Sequence, residues 1–477
     1  MKASFVNPGP NESLLEGEKT MTAACPPLGI LYLASTLESN GVETSVLDHA
    51  AERISIKRVV DWVKKEDPDV LGLSVLVSSS LTGPRIAEEA KRANPNLVVV
   101  FGNHHATFNA ERILRKYPFV DVVVRGEGEQ TCLELVNRIE EKSSLKGVLG
   151  ITYRNRDRIV SNPDRPLIKD IDSLPFPNRS LLKNEYHNTT VGINVAPKKF
   201  ASFLSSRGCV FKCRFCCCSS IAHGVWRARS VDNVLQELHL LASEGYRQVM
   251  FVDDNFTLNR KRAVELCRRM RKEKVDLDWI CEGRVDQASY DMYREMVKAG
   301  CRMMYFGIES GTQKVLDYYD KRTTTQQSRE AVEKARKAGM DLIVGSFIIG
   351  APNETKADIQ ETLDFVKGLN LDIPQINVLG AFPGDSIWRE FSDRGLIDED
   401  RYWERGVGAS DVFSDAVSLE EMRAMVRRFY KEFLTSPKYV ARQLQLTLKS
   451  TYRLNVVFDS LSRIRAVMDG ISSYTSL

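Results

Sequence analysis

Five of the chain's ten cysteines fall within ten residues, at Cys209, Cys213, Cys216, Cys217 and Cys218. The stretch Cys209-Val210-Phe211-Lys212-Cys213-Arg214-Phe215-Cys216 is a C-x3-C-x2-C pattern that directly follows a strand-like run. Three thiolates on one short loop do not complete the four-ligand shell of a tetrahedral zinc ion or a four-iron cluster, so one coordination position is left for another group. An open position suits chemistry at the metal better than a purely structural role. Arg207, Lys212 and Arg214 flank the loop; positive charge there is expected to lower thiol pKa and offset an anionic cluster. The bland alternative is a zinc knuckle closed by His223, Cys217 or Cys218. A disulfide scaffold is excluded, because it would spread its cysteines through a short secreted chain.

The elements that must hold this loop can be read from apolar periodicity. In the first 140 residues, Lys2 to Val6, Val42 to Leu47, Val70 to Leu76, Leu97 to Phe101 and Asp121 to Val124 read as strands. Between them, Leu28 to Glu38, Ile56 to Lys65, Arg85 to Ala93, Ala110 to Tyr117 and Thr131 to Ile139 carry helical spacing. Continuous runs such as Val70-Leu71-Gly72-Leu73 suit parallel strands buried on both faces, and the alternation predicts a doubly wound sheet. Ligands bind such sheets outside the carboxyl ends of their strands. The loops expected there include Asn7-Pro8-Gly9-Pro10, Ser74 to Ser80, Gly102 to Thr107 and Arg125 to Glu129. Residues 141–200 read as a connection, with a hairpin around Leu149 to Val160.

Alternation resumes with strand-like runs at Phe203 to Ser206, Gln248 to Val252, Trp279 to Glu282, Met303 to Ile308, Asp341 to Ile349 and Gln375 to Leu379. Helical patterns lie between them at Val231 to Ser243, Arg260 to Glu273, Tyr290 to Ala299, Gln327 to Ala338 and Lys356 to Gly368. Six such units predict an incomplete parallel barrel whose active site lies at the carboxyl ends of its strands. The expected class is therefore α/β: a doubly wound domain at 1–140, a connection at 141–200, a partial βα barrel at 201–383 and a mainly helical cap at 384–477. In the cap, Leu419 to Thr435 and Pro437 to Met468 are helical and basic, packed on the barrel or lying on a membrane surface.

Cys209-x3-Cys213-x2-Cys216, with Phe215 just before the last cysteine and the loop following the first barrel strand, closely resembles the radical S-adenosylmethionine (SAM) superfamily. Gly307-Ile308-Glu309-Ser310-Gly311, Phe347-Ile348-Ile349-Gly350-Ala351-Pro352 and Phe251-Val252-Asp253-Asp254 resemble its later strand ends, and Trp226-Arg227-Ala228-Arg229-Ser230 the run into its first barrel helix. The resemblance implies that Cys209, Cys213 and Cys216 hold a 4Fe-4S cluster whose fourth iron is chelated by SAM, and that Phe215, Asp254, Arg284, Glu309 and Ser310 contact SAM. Asp254 and Glu309 are candidates for its amine and Arg284 for its carboxylate, with ordinary salt bridges the alternative for each. The second strand lacks the Gly-Gly-Glu form of many members.

The first domain is similar to the cobalamin-binding domain that precedes the barrel in one branch of that superfamily, through Pro26-Pro27-Leu28-Gly29-Ile30, Gly102-Asn103-His104-His105-Ala106-Thr107 and Val124-Arg125-Gly126-Glu127-Gly128-Glu129. The resemblance implies cobalamin contacts at Pro8, Ser74, Val77, Gly102, Asn103, His104, His105, Gly126 and Glu127. The Asp-x-His-x-x-Gly signature of a histidine axial ligand is absent, since Asp48-His49-Ala50-Ala51 does not fit it, so cobalamin is expected without histidine ligation. The implied activity is methyl transfer to an unactivated carbon: one SAM methylates cob(I)alamin, and a second yields a 5′-deoxyadenosyl radical that abstracts the substrate hydrogen. A protein side chain, such as one in methyl-coenzyme M reductase, is one candidate substrate. The alternatives are a cobalamin-dependent radical cyclase or other oxidation of a tetrapyrrole or lipid, and a non-catalytic corrin- or metal-binding module. A ferredoxin or flavodoxin is the implied electron donor.

The whole chain has 477 residues, with 43% hydrophobic and 27% charged residues and a formal net charge of +4. Length and composition fit a multidomain globular protein and exclude a disordered or collagen-like one. The near balance of charge argues against nucleic acid as partner. No apolar run reaches the roughly 18 residues of a membrane span, and the N-terminus reads as a strand rather than a signal peptide, so a cytoplasmic enzyme is expected. Cys25, Cys132, Cys267, Cys281 and Cys301 lie in or beside regular elements and are expected in the core, and small buried packing is the expected role of Cys217 and Cys218.

Overall fold

Short β-branched and aliphatic runs form the first sheet, at Lys2–Asn7 (β1), Glu43–Asp48 (β2), Val70–Ser74 (β3), Val98–Gly102 (β4) and Val122–Val124 (β5). The computed structural model describes residues 1–11, 25–190, 193–405, 414 and 416–461. These five strands are parallel in the order β2-β1-β3-β4-β5. Alternate side chains go to opposite faces, as strand geometry dictates. Val6, Leu71, Leu73, Val99 and Phe101 meet Val59, Ile86, Ala90 and Ile113 of the helices Ile56–Glu66, Thr82–Ala93 and Ala110–Lys116 on one side. On the other, Ala3, Phe5, Val70 and Val100 meet Ile30, Ala34, Leu135 and Val136 of Leu28–Glu38 and Glu129–Glu140. The hairpin expected in the connection forms as Ile151–Asn155 (β6) and Arg158–Ser161 (β7), and it extends this sheet by pairing antiparallel with β5. A two-residue ribbon follows, Thr189–Thr190 (β8) with Ile193–Asn194 (β9).

The second sheet begins at Phe200–Phe203 (β10) rather than at the expected Phe203 to Ser206. Phe200, Ala201 and Phe203 are buried and pair with the next barrel strand. Ser205 and Ser206 leave the sheet because both hydroxyls donate to the buried Asp253 carboxylate, at 2.6 and 2.5 Å. Ser206–Arg207 (β11) instead pairs antiparallel with Arg227–Ala228 (β12) across the cysteine loop. The remaining strands, Gln248–Phe251 (β13), Asp278–Arg284 (β14), Cys301–Glu309 (β15), Leu342–Ile349 (β16) and Ile373–Val378 (β17), lie parallel in chain order beside β10 as an open barrel. Its helices are specified locally: Ser230, Asn259, Ser289, Thr324 and Thr355 each cap a helix N-terminus with a side-chain oxygen. A helix at Gln313–Tyr318 was not expected.

The lumen floor is closed by Val195, Ile280, Met303, Leu342, Val344 and Ile373, with Tyr452 and Val456 of the helix Thr451–Leu461 packed beneath. The cap helix Leu419–Thr435 buries Met422, Val426, Phe429 and Phe433 in the barrel core. The single helix expected over Pro437 to Met468 is two, Pro437–Thr447 and Thr451–Leu461, and the part beyond residue 461 lies outside the described residues. The break follows from a cap at Ser450, whose hydroxyl accepts from the Arg453 N–H at 3.1 Å, while buried Arg453 pairs with Asp372 at 2.5 Å. Among the described residues no helix is long and apolar enough to cross a membrane.

Candidate functional site

The cysteine loop leaves β11 through Gly208, which holds φ at +87°. A Cβ there would stand 2.1 Å from the Val225 carbonyl oxygen, so only glycine fits. The Gly208 N–H donates to the Asp254 carboxylate at 2.7 Å. Arg214 fixes the far side: its N–H donates to the Tyr319 carbonyl at 2.9 Å, and its guanidinium pairs with Glu390 and covers the Tyr318 ring. Phe215 packs edge-on against Tyr319, with ring centroids 5.2 Å apart.

The flanking arginines do not supply the charge expected of them. Arg207 is drawn away by Glu127 and Glu129, at 3.1 and 2.5 Å, and Arg214 by Glu390. Burial pushes the Cys209 and Cys213 thiols up. Cys216 alone falls, to about 7, chiefly because the Cys218 thiol donates to it. The cations that reach the thiols are Lys321, which favours the charged forms of Cys213 and Cys216, and Arg284, at the carboxyl end of β14, whose Nη1 lies 3.5 Å from the Cys213 sulfur. Arg284 lies flat over Phe211 at 3.6 Å and is held by Asp286 at 3.0 and 3.1 Å and by the Lys321 carbonyl at 2.6 Å. His223 ends the short helix Cys218–Ala222 in a left-handed conformation and is exposed, and among the described residues no three Cys, His, Asp or Glu side chains converge as a single-ion site requires. Three half-buried thiols with a guanidinium beside one of them fit a larger anionic cluster.

Around the loop, Glu309 is buried with φ at +69° and pairs with Lys321 at 2.6 Å. The Ser310 hydroxyl is taken up by Thr312 and Thr362 at 3.3 and 3.1 Å. Asp254, Arg284 and Glu309 thus gather at the barrel's carboxyl end, while Ser310 is tied into the fold.

A cleft of about 540 Å³ separates this end of the barrel from the carboxyl edge of the first sheet. Ser74, Gly102, Asn103, His104, Gly126 and Glu127 line one wall, and Arg207, Gly208, Cys218 and Asp254 the other. A Cβ at Gly126 would meet nothing within 4 Å, and one at Gly102 only the Val124 carbonyl at 4.0 Å, so the cradle has room for a flat group laid across it. The Asn103 side chain, positioned by its bond to Ser74 Oγ at 2.8 Å, and the His104 ring supply polar contacts. These residues fit a corrin.

Three expected contacts are elsewhere. Pro8 packs under the helix Thr82–Ala93, and Val77 sits in a short turn after β3. His105 is buried between Tyr402 and Trp403, with centroids 6.4 and 5.2 Å away, and burial pushes it down to about 4, so the ring is neutral. Its neighbours lie some 300 residues away in sequence, which no local pattern reveals. Cys25, expected in the core, is half-buried and lines the cleft. Cys217 donates weakly to the Pro383 carbonyl at 3.8 Å, whereas Cys218 faces the cleft.

The reading from sequence missed Glu129 and Arg227, which join Arg207 and Glu127 in a buried network between the two domains, Arg227 holding Glu127 through two 2.9 Å bonds. It also missed Glu282, in a second cavity of about 350 Å³ within the barrel lumen. Glu282 stands two residues before Arg284 on the same strand, and that spacing was the available signal.

Residues 203–366 match the radical SAM superfamily and residues 19–136 the B12 binding domain. The chain is 34% identical over 447 residues to an uncharacterized methyltransferase of Pyrococcus horikoshii, covering 93% of this chain and 95% of that one. It is 27% identical to an anaerobic magnesium-protoporphyrin IX monomethyl ester cyclase of Rubrivivax gelatinosus, over 95% of this chain and 83% of the relative. Its fold is similar to that of the radical SAM methyltransferase TsrM from Kitasatospora setae, solved with cobalamin and a 4Fe-4S cluster, with a TM-score of 0.66 and 19% identity over 82% of this chain and 75% of that one. With Gly208 and Cys218, at the two ends of the cysteine loop, facing Gly102, Asn103 and Gly126 across one cleft, and a relative that matches nearly end to end, the chain belongs to the radical SAM enzymes that carry a cobalamin-binding domain, in their methyltransferase branch.

Proposed function

We propose that this enzyme transfers a methyl group from cobalamin to an unactivated carbon, with Cys209, Cys213 and Cys216 holding a 4Fe-4S cluster and with SAM bound at its open iron. The observation that carries this reading is that Gly208 and Cys218, which bracket the cysteine loop, form with Asp254 one wall of a cleft whose opposite wall is the cradle of Gly102, Asn103 and Gly126. When bound, the cluster and SAM supply a carbon-centred radical and cobalamin supplies the methyl group. The protein's part is alignment and exclusion of water, which is where most of an enzyme's contribution lies when cofactors do the difficult chemistry.

Each side chain has a role in that alignment. Arg284 places positive charge against Cys213 and offsets an anionic cluster. Asp254 fixes the loop through Gly208 and presents its carboxylate to the same cleft, where it would accept from an amine of SAM. Lys321 holds Glu309 at the end of β15, beside the loop. Phe215, packed edge-on against Tyr319, would border the bound SAM. A ferredoxin or flavodoxin donates the electron, and the enzyme works in the cytoplasm. The acceptor carbon belongs to a protein side chain or small molecule, with methyl-coenzyme M reductase as one candidate.

The test is incubation of the reconstituted protein with methyl-labelled SAM, a reductant and cell extract. Label entering product together with release of 5′-deoxyadenosine is the expected result. A product carrying no methyl group would favour the cyclisation performed by the Rubrivivax relative, and 5′-deoxyadenosine formed by Cys213→Ala would overturn the cluster assignment.

A further inference from the structure

Side chains two apart on a strand share a face, so Ile280, Glu282 and Arg284 of β14 form a ladder up the inside of the barrel. Arg284 at its top reaches the Cys213 sulfur, and Ile280 at its foot belongs to the apolar floor. Glu282 lies between them, about 6.6 Å along the strand from Arg284 at the usual rise per residue. It faces the lumen cavity of about 350 Å³, whose walls include Met250, Met303, Tyr305 and Gln375, with Asn188 and Thr189 of the ribbon closing one side. The wall is ordered: the Tyr305 hydroxyl donates to the Gln375 side chain, and the Asn188 amide to the Met250 sulfur at 3.1 Å.

Glu282 is the charged residue of this wall, and among the described residues it makes no hydrogen bond or ion pair. The surrounding charges do not compensate it. Arg284 is held by Asp286, and Lys321 by Glu309. Asp254 and Glu309 add negative charge, and with burial as the main cause the Glu282 carboxyl is pushed up to about 7. A carboxylate withdrawn from water without donors is unfavourable. The fold nevertheless places one at the centre of a polar cavity open to a ligand, within a side chain's length of the cluster loop.

We infer that the barrel lumen is the substrate subsite and that Glu282 receives a positively charged donor group of the substrate, an ammonium or guanidinium, with the hydrocarbon beside it lying against Met250 and Met303. This deepens the methyl-transfer reading above and rests on it. A cation supplies the donors that Glu282 lacks, and the acids around it favour that cation over a neutral or anionic group. The thioethers offer an adaptable apolar surface to an alkyl chain. The cavity has room for one side chain or small head group, so a larger substrate would insert only that part.

The experiment uses the full reconstituted chain and two cationic probes, butylammonium and butylguanidinium, with butyramide as the neutral probe, followed by calorimetric titration at pH 8. Both cations should bind the wild type more tightly than butyramide, and Glu282→Gln should lose about tenfold in cation affinity, the effect of one charge-assisted hydrogen bond, while butyramide is unchanged. Glutamine is nearly isosteric and removes an uncompensated charge, so the variant is expected to fold, and its thermal transition is recorded alongside. Equal binding of cations and butyramide to the wild type, or cation binding unchanged by Glu282→Gln, overturns the subsite. So does loss of labelled SAM from Glu282→Gln in equilibrium dialysis, because the carboxylate would then serve SAM. Wild-type 5′-deoxyadenosine release separates the two readings: cation selectivity without it leaves the subsite standing and defeats the methyl-transfer reading, and release without cation selectivity does the reverse.

Discussion

Arg207, beside the cysteine loop, and Glu129, at the start of a helix of the first domain, form an ion pair at 2.5 Å with side chains only 14% and 5% exposed. Glu127 joins it at 3.1 Å and is itself clamped by Arg227. Burial disfavours the charge on Glu127, yet these guanidiniums hold its carboxyl below the ordinary value. The network ties the Gly126–Glu129 turn of the cradle to the two strands that bracket the cysteine loop, and so sets the width of the cleft. Removing one partner of a buried ion pair leaves an uncompensated charge, which costs about 3–5 kcal/mol. Arg207→Met is therefore expected to lower unfolding free energy by that amount in guanidinium titrations and to weaken retention of cobalamin on gel filtration. Unchanged stability and retention would show that the network is not what holds the two walls together.

The cluster loop was legible because thiol spacing is a local property, and the same holds for helices such as Leu28–Glu38, Val231–Ser243, Lys356–Gly368 and Leu419–Thr435, whose ends follow from caps and periodicity. Legibility failed wherever the deciding partner was distant in sequence. Arg207 looks like a cation for the thiols until Glu127 and Glu129 are seen to claim it. His105 sits in the expected binding loop, but Tyr402 and Trp403 enclose it from the cap. The first barrel strand slid toward Phe200 because Asp253 captures two serines that an apolar pattern cannot weigh. Glu282 shares a strand face with Arg284, but its lack of a partner shows only once the lumen around it closes.

The guanidinium of Arg284 lies 3.5 Å from the Cys213 sulfur in a partly buried setting, where charge is weakly screened. A nearby positive charge favours the more negative, reduced form of a cluster. Arg284→Gln should therefore shift the cluster's reduction potential to more negative values, read by redox titration with electron paramagnetic resonance. A potential equal to that of the wild type would mean that the charge is fully offset by Asp286.

Gly208 is the pivot of the cysteine loop. Its φ of +87° disfavours any side chain by about 1–2 kcal/mol, and the Val225 carbonyl oxygen 2.1 Å from the Cβ position leaves no room for one. Because the obstacle is backbone, Gly208→Ala must displace either the loop or β12, with an expected loss above about 3 kcal/mol. The Gly208 N–H bond to Asp254 would be lost with it. Iron bound per chain after reconstitution should fall well below that of the wild type, and full iron incorporation would show that the loop tolerates the shift.

Glu282 makes a pH-dependent contribution whose sign follows from its environment. Burial, with Asp254 and Glu309 nearby, raises its pKa from an ordinary 4.5 to about 7 in the folded chain. Between those values the folded state binds more protons at this site than the unfolded state, so the site's contribution is favourable at low pH and is lost as pH rises through 7. Glutamine carries no such titration. The stability difference between Glu282→Gln and the wild type should therefore change in the variant's favour by about 3 kcal/mol from pH 4.5 to pH 8, with most of the change complete near pH 7. Glu354 and Asp385, also raised by burial, follow the same direction in both proteins and cancel in the difference. Urea unfolding of the two proteins across this range measures it directly. A difference independent of pH would mean that Glu282 is ionised at ordinary pH in the folded chain, with a donor beside it in solution.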